Sequence, residues 1–534
     1  MKETALEWLA QDPDPETRAE LSALLDDPEA LRERFGAKLE FGTAGLRGEL
    51  GAGPNRMNRV TVMRAAAALA AVLGPGKHVV IGYDARHKSD VFARDTAAVL
   101  TGAGLRASLL PRPLPTPVLA FAVRHLRADA GVTVTASHNP PRDNGYKVYW
   151  HDGSQIVPPV DARISAAIDA VGRVDRLPLG KEYDVLGESV VDAYLRAVTR
   201  LPLGDARELR VAYTPLHGVG AAVLERAFLT AGFDAPAMVE EQREPDPDFP
   251  TVSFPNPEEP GAMDLAFELA GKIGADLVLA NDPDADRCAV GVPLGDGSFR
   301  MLTGDEVGGL LAEHVLSHTS GDCLVATTIV SSSLLSKIAD EYGVRYAETL
   351  TGFKWIMRAG EGLVYGYEEA LGYSVGSDEG LPVRDKDGIG AALTVAAIAA
   401  EAKRSGRTLL DLLDDQARRY GLHATSQLSV RVEDLSLIAR AMTRLRAHPP
   451  VSLGGRAVES VDDLATGVGG LPPTEGLRYR LAGGARVVVR PSGTEPKLKC
   501  YLEVVVSGVP AQAREQAARE LEALKADLRA ALGL

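Results

Sequence analysis

The chain has 534 residues, of which 45% are hydrophobic and 25% are charged, as is typical of a globular protein. At about 100–200 residues per domain, this length predicts about three to five domains, and the apolar content excludes general disorder. The formal net charge of −15 disfavours nucleic acid or an anionic membrane as the main partner, but it leaves room for a small anionic substrate at a local basic cluster.

The first 35 residues are charged and helix-favouring, with an apolar stripe that predicts a short helical extension packed on the body. Units of strand, loop and helix follow. The predicted strands are residues 78–84, 131–137, 209–214, 275–282, 323–330 and 363–370, and the clearest helices are residues 92–104 and 332–343. Such alternation predicts α/β domains with largely parallel sheets.

The end of the chain has a different pattern. Three strands over residues 477–483, 485–493 and 497–508 precede a long helix over residues 509–532, which predicts a smaller C-terminal α+β domain. We expect joints near residues 201–208, 317–322 and 420–426. The predicted divisions are a helical extension (1–38), three α/β domains (39–204, 205–318 and 319–422) and the last domain (423–534).

Membrane insertion and secretion are not expected. No apolar run approaches about 18 residues, and the acidic N-terminal segment lacks the features of a signal peptide. Cys288, Cys323 and Cys500 lie far apart and form no CxxC pair, which disfavours a disulfide scaffold or a zinc cluster. We therefore expect reduced thiols in a cytoplasmic protein.

Ligands of open parallel sheets bind beyond the carboxyl ends of the strands, so the loops after strands are the candidate sites. In TASHNPPRDNGYKVY (residues 135–149), Ser137 and His138 follow an apolar strand, and the segment is expected to be an exposed, sharply turning loop. Ser137 is a candidate nucleophile or phosphate carrier. The alternative is a Ser- and Asn-rich turn without chemistry.

The loop NDPDADR (residues 281–287) places Asp282, Asp284 and Asp286 after another strand. Three converging carboxylates would repel one another without a cation, so we expect a hard divalent ion, Mg²⁺ above all. An EF-hand is excluded because Arg287 occupies the position that requires glycine. The alternative is a solvated acidic turn.

Two further segments carry polar groups, and those of the first, Glu368 and Glu369, suit hydrogen bonding to sugar hydroxyls. Glu368 and Glu369 lie among glycines and tyrosines after the strand at 363–370, near the segment ETLTGFKW (residues 348–355). Lys386 lies between two aspartates in VRDKDG (residues 383–388). For both segments the alternative is an ordinary helix start with charged groups near the helix N-terminus.

The segment RPSGTEPKLK (residues 490–499) combines an arginine, two hydroxyls, a lysine and free backbone N–H groups between two strands. These groups suit a phosphate, although a plain hairpin turn is the alternative. Gly218 and Gly220, with Glu240 about 20 residues later, form a partial dinucleotide-binding pattern. Val223 occupies the third glycine position, which disfavours a nucleotide-dependent oxidoreductase.

Taken together and in this order, these loops resemble those of the α-D-phosphohexomutase superfamily. TASHNPPRDNGYKVY resembles its phosphoserine loop, DPDADR its magnesium loop, GYEEALG its sugar-binding loop and RPSGTEPK its last phosphate-binding loop. FGTAGLRGELGAGPNRMN (residues 41–58) also matches and supplies Arg47. The resemblance is greatest to the branch of phosphoglucomutases and phosphopentomutases related to the glucose-1,6-bisphosphate synthases.

The resemblance implies an α/β protein in which three tandem similar domains with mixed, largely parallel sheets and a smaller fourth domain surround a central cleft. It implies an intramolecular phosphotransferase that converts glucose 1-phosphate to glucose 6-phosphate through a phosphoserine and a sugar bisphosphate. It assigns catalysis to Ser137, Arg47, His138, Lys147 and Lys386. It assigns metal binding to Ser137, Asp282, Asp284 and Asp286. It assigns substrate binding to Arg287, Thr351, Gly352, Lys354, Glu368, Glu369, Arg490, Ser492, Gly493, Thr494 and Lys497.

The implied cofactors are Mg²⁺ and glucose 1,6-bisphosphate, or the matching sugar bisphosphate, as activator. The implied partner is a small sugar phosphate bound by a monomer or dimer. One departure affects the substrate: Ala370 and Leu371 replace the serine and phenylalanine of the family's GEESFG loop. The alternatives are therefore a phosphopentomutase, a phosphomannomutase, a glucose-1,6-bisphosphate synthase or a catalytically inactive sugar-phosphate sensor.

Overall fold

The computed structural model describes residues 1–40, 45–432, 434–492 and 497–533. The chain divides into two compact units, one of residues 1–302 with 371–401 and the other of residues 303–370 with 402–534. Among the helices of the described residues, none is both long enough and apolar enough to cross a membrane.

The N-terminal extension consists of three helices, α1 (Lys2–Gln11), α2 (Pro15–Leu24) and α3 (Pro28–Phe35). The side chain of Asp14 caps α2, and that of Asp27 caps α3. Buried Trp8 lies in one apolar cluster with Val60 and Met63, which belong to the next helix of the chain. The apolar stripe of the sequence is thus the face by which the extension packs on the body.

The first sheet consists of β1 (Leu46–Glu49), β2 (His78–Tyr83), β3 (Arg106–Leu109), β4 (Ala130–Val134), β5 (Asp143–Trp150) and β6 (Asp184–Val185). Its order is β1-β5-β4-β2-β3-β6, with β2 parallel to β3 and β4, and β5 antiparallel to β4 and β1. The associated helices are α4 (Arg59–Leu73), α5 (Ser89–Gly102), α6 (Thr116–His125), α7 (Val160–Ala170) and α8 (Ser189–Val198).

Strand β5 corrects the sequence analysis. Residues 135–149 were expected to form one exposed loop, but their second half is a buried antiparallel strand, and Lys147 lies on it opposite Thr133 of β4. The prediction of exposure is also wrong for Ser137, whose side chain is buried. The hairpin back along β4 places Lys147 close to the strand end from which the Ser137 loop leaves.

The second sheet consists of β7 (Val211–Thr214), β8 (Ala237–Met238), β9 (Leu277–Ala280), β10 (Ala289–Pro293) and β11 (Phe299–Met301), with α9 (Ala221–Thr230), α10 (Glu240–Arg243) and α11 (Asp264–Ile273). Its order is β11-β10-β9-β7-β8, and β7 is parallel to β8 and β9. Both sheets thus have a parallel middle and an antiparallel edge, so they are mixed rather than wholly parallel.

The second unit begins with α12 (Gly304–Ser317), β12 (Leu324–Thr328), α13 (Leu334–Tyr342), β13 (Arg345–Thr349), α14 (Phe353–Ile356) and β14 (Leu363–Glu368). Strand β12 is parallel to β13 and to β14. The chain then returns to the first unit with β15 (Gly372–Val375) and most of α15 (Gly388–Arg404).

The last part of the chain has an antiparallel sheet in the order β16-β21-β20-β19-β18-β17. Its elements are α16 (Leu409–Tyr420), β16 (Leu422–Arg431), α17 (Leu435–Ala447), β17 (Ser452–Leu453), β18 (Arg456–Asp463), β19 (Leu477–Leu481), β20 (Arg486–Pro491), β21 (Lys497–Val506) and α18 (Pro510–Leu532). Most of the segment 420–426, where a joint is expected, belongs to β16. The α+β architecture is confirmed.

Buried Glu503 of β21 holds this sheet to the α13 region of the same unit. Its carboxylate accepts hydrogen bonds from Ser332 Oγ (2.6 Å), Ser333 N (2.8 Å) and Arg486 Nε (2.9 Å). Burial would raise the pKa of Glu503, but Arg486 and His423 outweigh burial and hold the pKa at about 2. The carboxylate is therefore charged, and its hydrogen bonds join elements far apart in sequence.

Candidate active site

The Ser137 loop leaves the carboxyl end of β4 and is held by one buried arginine. Ser137 has a left-handed backbone conformation, with φ 53°, and its N–H donates to Thr135 Oγ1. Arg86 Nη2 donates to the carbonyls of Ser137 (2.5 Å) and Asn139 (2.7 Å), and its Nη1 donates to those of Pro140 (2.8 Å) and Asp143 (3.1 Å). One guanidinium thus fixes the path of the whole loop.

The surroundings of Arg86 explain why it can be buried. Its Nε lies 3.4 Å from the Asp84 carboxylate, and its guanidinium lies over the ring of Phe249, 5.0 Å from the ring centroid. Phe249 belongs to the Pro-rich segment 244–261, so this segment packs behind the serine loop. No sequence pattern indicated Arg86, because its hydrogen-bond partners are backbone carbonyls about 50 residues away.

Ser137 and the aspartate loop meet in the first unit. Ser137 Oγ donates to Asp282 Oδ2 at 2.7 Å, and His138 Nδ1 lies 3.3 Å from the same hydroxyl. Burial, with the nearby charge of Arg287, holds the pKa of His138 well below its usual value, so its imidazole is neutral. The hydroxyl therefore lies between a carboxylate and a neutral imidazole.

Asp282, Asp284 and Asp286 follow β9, are fully buried, and each offers an oxygen within 4.8 Å of those of the other two. Thr116 Oγ1, at the start of α6, donates to Asp284 Oδ2 at 2.7 Å. Within the described part of the chain, Asp284 Oδ1 and Asp286 Oδ1 are buried without a hydrogen-bond donor. Burial and then the charge of Asp286 raise the pKa of Asp282 and Asp284. Two of the trio's carboxylate oxygens thus remain without a donor among the described residues, as in a site that holds a cation.

Two lysines from distant parts of the sequence contact this trio. Lys147 Nζ lies 2.9 Å from Asp284 Oδ2 and 3.2 Å from Asp286 Oδ2, and Lys386 Nζ lies 3.2 Å from Asp286 Oδ2. Burial would lower the pKa of Lys147, but the two carboxylates outweigh burial and raise it. Burial would likewise raise the pKa of Asp286, and the lysines lower it. A charged Lys147 is suited to stabilising negative charge rather than to removing a proton.

Buried groups fix the backbone beside Lys386. The Asp385 carboxylate accepts from Tyr149 Oη (2.6 Å) and Gln155 Nε2 (3.0 Å). Tyr149 follows Lys147 by two residues on β5, so both side chains lie on the same face of the strand. This alternation was a signal for Tyr149 that the sequence analysis missed by treating the segment as a loop.

Asp387, on the other side of Lys386, is also buried. Its Oδ1 accepts from Tyr194 Oη (2.7 Å) and from the N–H of Gly390 (3.0 Å). Burial raises the pKa of Asp387 to about 6.

Two arginines complete the charged groups around Ser137. Arg47 Nη1 donates to Asn139 Oδ1 at 3.0 Å, and burial lowers its pKa although Asp284 opposes the effect. Arg287 Nε lies 3.9 Å from Asp282 and 3.8 Å from Asp286. The first unit thus brings together the predicted residues of this group, which are Ser137, His138, Arg47, Lys147, Lys386, Asp282, Asp284, Asp286 and Arg287.

The glycines of the partial dinucleotide pattern have a packing role here. A Cβ on Gly218 would lie 2.3 Å from Pro283 Cα, and one on Gly220 would lie 2.6 Å from the Tyr213 hydroxyl. Val219 N also donates to the Pro283 carbonyl at 2.8 Å. These glycines therefore allow the 215–220 loop to pack directly behind the aspartate loop.

The second unit carries the predicted sugar and phosphate groups. Glu369 is half-buried, and its Oε2 accepts from Ser331 (3.1 Å) and Thr328 (3.4 Å). Burial, with the charge of Glu368, raises the pKa of Glu369 to about 7. Glu369 therefore changes its charge near neutral pH.

The other predicted groups of this unit lie in two loops. Gly352, with φ 109°, precedes α14, which contains buried Lys354, and Thr351 lies beside them. Arg490 is the next-to-last residue of β20, and Ser492 N donates to the Lys497 carbonyl at 2.8 Å. Gly493 and Thr494 lie outside the described residues.

The comparisons with known proteins agree on one family. Four segments match the family profiles named phosphoglucomutase/phosphomannomutase domains I, II, III and IV, over residues 38–174, 192–295, 303–420 and 429–523. The chain is 46% identical to the Haemophilus influenzae protein named "Probable phosphomannomutase", over 84% of this chain and 93% of the relative. It is 35% identical to the Schizosaccharomyces pombe protein named "Probable phosphoribomutase", over 94% of this chain and 93% of the relative.

Among solved structures, the chain is similar to the open form of pp63/parafusin, a phosphoglucomutase from Paramecium. The match covers 93% of this chain and 97% of the other, with a TM-score of 0.70 and 19% sequence identity. At that identity the likeness concerns the fold.

Proposed function

The chain belongs to the phosphoglucomutase/phosphomannomutase family of phosphosugar mutases, and we propose that it interconverts glucose 1-phosphate and glucose 6-phosphate through a phosphoserine at Ser137. The observation that carries the proposal is the hydrogen bond of 2.7 Å from Ser137 Oγ to Asp282, within a buried trio of carboxylates. A serine placed there is adjacent to the charges that phosphoryl transfer requires.

We propose Mg²⁺ as the cation of Asp282, Asp284 and Asp286, with an oxygen of the Ser137 phosphate as a further ligand. The all-oxygen donor set and the two buried carboxylate oxygens without donors fit a hard divalent cation. When bound, the ion neutralises charge on the oxygens of the phosphoryl group being transferred.

In the proposed reaction, the phosphoryl group of Ser137 passes to the free hydroxyl of a sugar monophosphate. The Ser137 Oγ–P bond breaks, a new P–O bond forms on the sugar, and a sugar bisphosphate results. The bisphosphate then returns its other phosphoryl group to Ser137. Lys147 and Lys386 stabilise the charge on the oxygens in transit, and neutral His138 is placed to accept or return a proton. Glucose 1,6-bisphosphate would prime the serine.

The second unit would bind the parts of the substrate that do not react. Glu368 and Glu369 are proposed to bind sugar hydroxyls, helped by Thr351, Gly352 and Lys354. The proposed phosphate-binding residues are Arg490, Ser492, Gly493, Thr494 and Lys497, with Arg287 of the first unit beside the metal. Arginine suits this role because its fork of N–H groups matches phosphate oxygens.

A phosphopentomutase is the second candidate, and Ala370 favours it. Alanine removes one hydroxyl that could hydrogen-bond a hexose, and the Schizosaccharomyces pombe relative is named a phosphoribomutase. We expect an Ala370→Ser variant to raise the ratio of hexose to pentose turnover. An unchanged ratio would show that this position does not select the sugar.

A phosphorus NMR time course tests the proposal. Glucose, mannose and ribose 1-phosphates are supplied in turn, with Mg²⁺ and a trace of the matching sugar bisphosphate. We expect conversion of glucose 1-phosphate by the wild type and none by Ser137→Ala, with Ser154→Ala as a folded control. Preference for ribose 1-phosphate would select the second candidate. Turnover by Ser137→Ala would refute the phosphoserine. Accumulation of bisphosphate in a parallel sample that also contains a separate phosphoryl donor would indicate a synthase.

A further inference from the structure

A pocket of about 360 Å³ lies in the first unit, at the ends of α6 and α8 and against residues 377–382. Its walls include Phe121, Arg124 and His125 from the end of α6, Arg200 from the segment after α8, and Glu379 and Leu381 from the loop after β15. The volume is at the small end of the range for metabolite-binding pockets. Neither the sequence motifs nor the proposed mutase reaction uses this pocket.

The walls of the pocket are basic in a chain whose net charge is −15. Arg124 Nη1 donates to the Leu381 carbonyl at 2.8 Å, and the His125 ring stacks on Phe121 with centroids 5.2 Å apart. Within the described chain, no hydrogen bond or ion pair engages the side chain of Arg200. Burial and then the nearby charge of Arg384 lower the pKa of Arg124. Asp152 lies 3.9 Å from Arg384 and opposes its effect on Arg124. The positive charge of the pocket walls is therefore that of Arg124 and Arg200 against the carboxylate of Glu379, and an anion would balance it.

The elements around the pocket also reach the catalytic groups. Helix α6 has ten residues, about 15 Å of helix, and at its other end Thr116 donates to Asp284. Tyr194, on α8, donates to Asp387. The loop of residues 377–382 leads directly into the segment that carries Lys386. A ligand in the pocket would thus contact the end of α6 opposite Thr116, lie within one turn of Tyr194 on α8, and contact the loop that precedes Lys386.

We propose that this pocket binds a small anion bearing a phosphate-like, tetrahedral dianionic group, and that its occupancy changes the turnover rate of the enzyme. Arg124 and Arg200 would bind the dianion through charge-assisted hydrogen bonds, and the stacked rings of Phe121 and His125 would contact the rest of the ligand. Glu379, at the rim, would repel ligands whose charge extends beyond the dianionic group. The effect on turnover rests on the proposed function, whereas binding does not.

Arginine footprinting with phenylglyoxal tests the binding, with inorganic phosphate as the probe and mass spectrometry as the readout. We expect phosphate to protect Arg124 and Arg200, while exposed Arg163 of α7 reacts equally with and without it. In an Arg200→Gln variant the protection of Arg124 should be lost. Unchanged labelling of Arg124 and Arg200 at saturating phosphate would overturn the proposal. The same experiment measures whether phosphate protects Arg490, a proposed phosphate-binding residue of the catalytic site. It therefore distinguishes a lack of phosphate binding in the pocket from a lack of phosphate binding in the catalytic site.

Steady-state kinetics test the effect on turnover. Phosphate that competes for the catalytic site raises KM alone, whereas a ligand in the pocket should change kcat at saturating substrate. We expect phosphate to change wild-type kcat by about fivefold and to leave kcat of Arg200→Gln unchanged, with Arg163→Gln behaving as wild type. Equal responses of wild type and Arg200→Gln would overturn the regulatory role.

Discussion

Replacing Arg86 with lysine should loosen the loop that carries Ser137. The guanidinium serves four carbonyls at 2.5–3.1 Å, whereas an ammonium offers three donors from a single point. If two buried carbonyls lose their donors at about 1–3 kcal/mol each, the variant loses about 2–6 kcal/mol of stability. Most of that range lies below the about 5–15 kcal/mol by which folded proteins are typically stable, so the variant should remain folded at low temperature.

The activity of this variant should fall further than its stability suggests, because Ser137 Oγ must stay aligned with Asp282. A displacement of about 1 Å at a reacting atom costs about 100-fold in rate. The assay combines guanidinium chloride unfolding, kcat, and hydrogen exchange of the peptide spanning residues 135–145.

Arg94→Lys is the control, because Arg94 is exposed and pairs with Asp90 along the same helix, an interaction of about 0.3–0.5 kcal/mol. Equal stability, hydrogen exchange and kcat of Arg86→Lys and Arg94→Lys would show that Arg86 does not hold the Ser137 loop.

Three further perturbations follow from the same contacts. Asp284→Asn should weaken Mg²⁺ binding and reduce turnover, because it removes charge from the trio; calorimetric titration with Mg²⁺ checks it, and unchanged affinity would exclude this trio as the metal site. The pKa of the Asp387 carboxyl is about 6 in the folded protein, compared with an ordinary value of 3.8. The folded state therefore binds the carboxyl proton more tightly than the unfolded state, and the protein loses stability as the pH rises from about 4 to about 6. Asp387→Asn keeps an oxygen for Tyr194 and should be the more stable protein above about pH 6, by up to about 3 kcal/mol in urea unfolding; a constant difference across pH would contradict this. Glu503→Gln should cost about 1.5–3 kcal/mol in the second unit, because Arg486 loses one of its two carboxylate partners and keeps Glu348 at 3.3 Å; a loss no larger than that of an exposed Glu522→Gln control would count against it.

The sequence reveals those parts of the site in which a single segment shows an apolar strand followed by a polar loop. Ser137 and Asp282 follow apolar parallel strands, so topology alone places them near one edge of their sheets. Arg86 and Asp385 carried no such signal, since their partners are backbone carbonyls or side chains about 50 to 240 residues away. Strand β5 was missed because its polar residues, which include Asn144 and Lys147, are buried by partners that only the folded chain provides.

The C-terminal domain shows the same limit. The apolar strands β19, β20 and β21 were predicted close to their observed bounds. The sheet-edge strands β17 and β18 were not predicted, and part of β16 was predicted as a joint. LHATSQLSVR, the sequence of β16, is polar because much of the strand is only partly buried, and its pairing with β21 stabilises it more than its own apolar content does.

The close packing of Gly218 against Pro283 has a consequence for which ion the protein selects. Pro283 separates two of the three aspartates, so its position sets the spacing of their oxygens. A methyl group at position 218 would push Pro283 away from the 215–220 loop, since no Cβ fits at 2.3 Å from its Cα. Mg²⁺ requires ligands at about 2.0–2.1 Å, whereas Ca²⁺ accepts about 2.3–2.6 Å and irregular geometry. If the trio holds Mg²⁺ as proposed, discrimination between ions of different radius depends on a glycine 64 residues before the acidic motif, which packs behind Pro283 and not against the carboxylates.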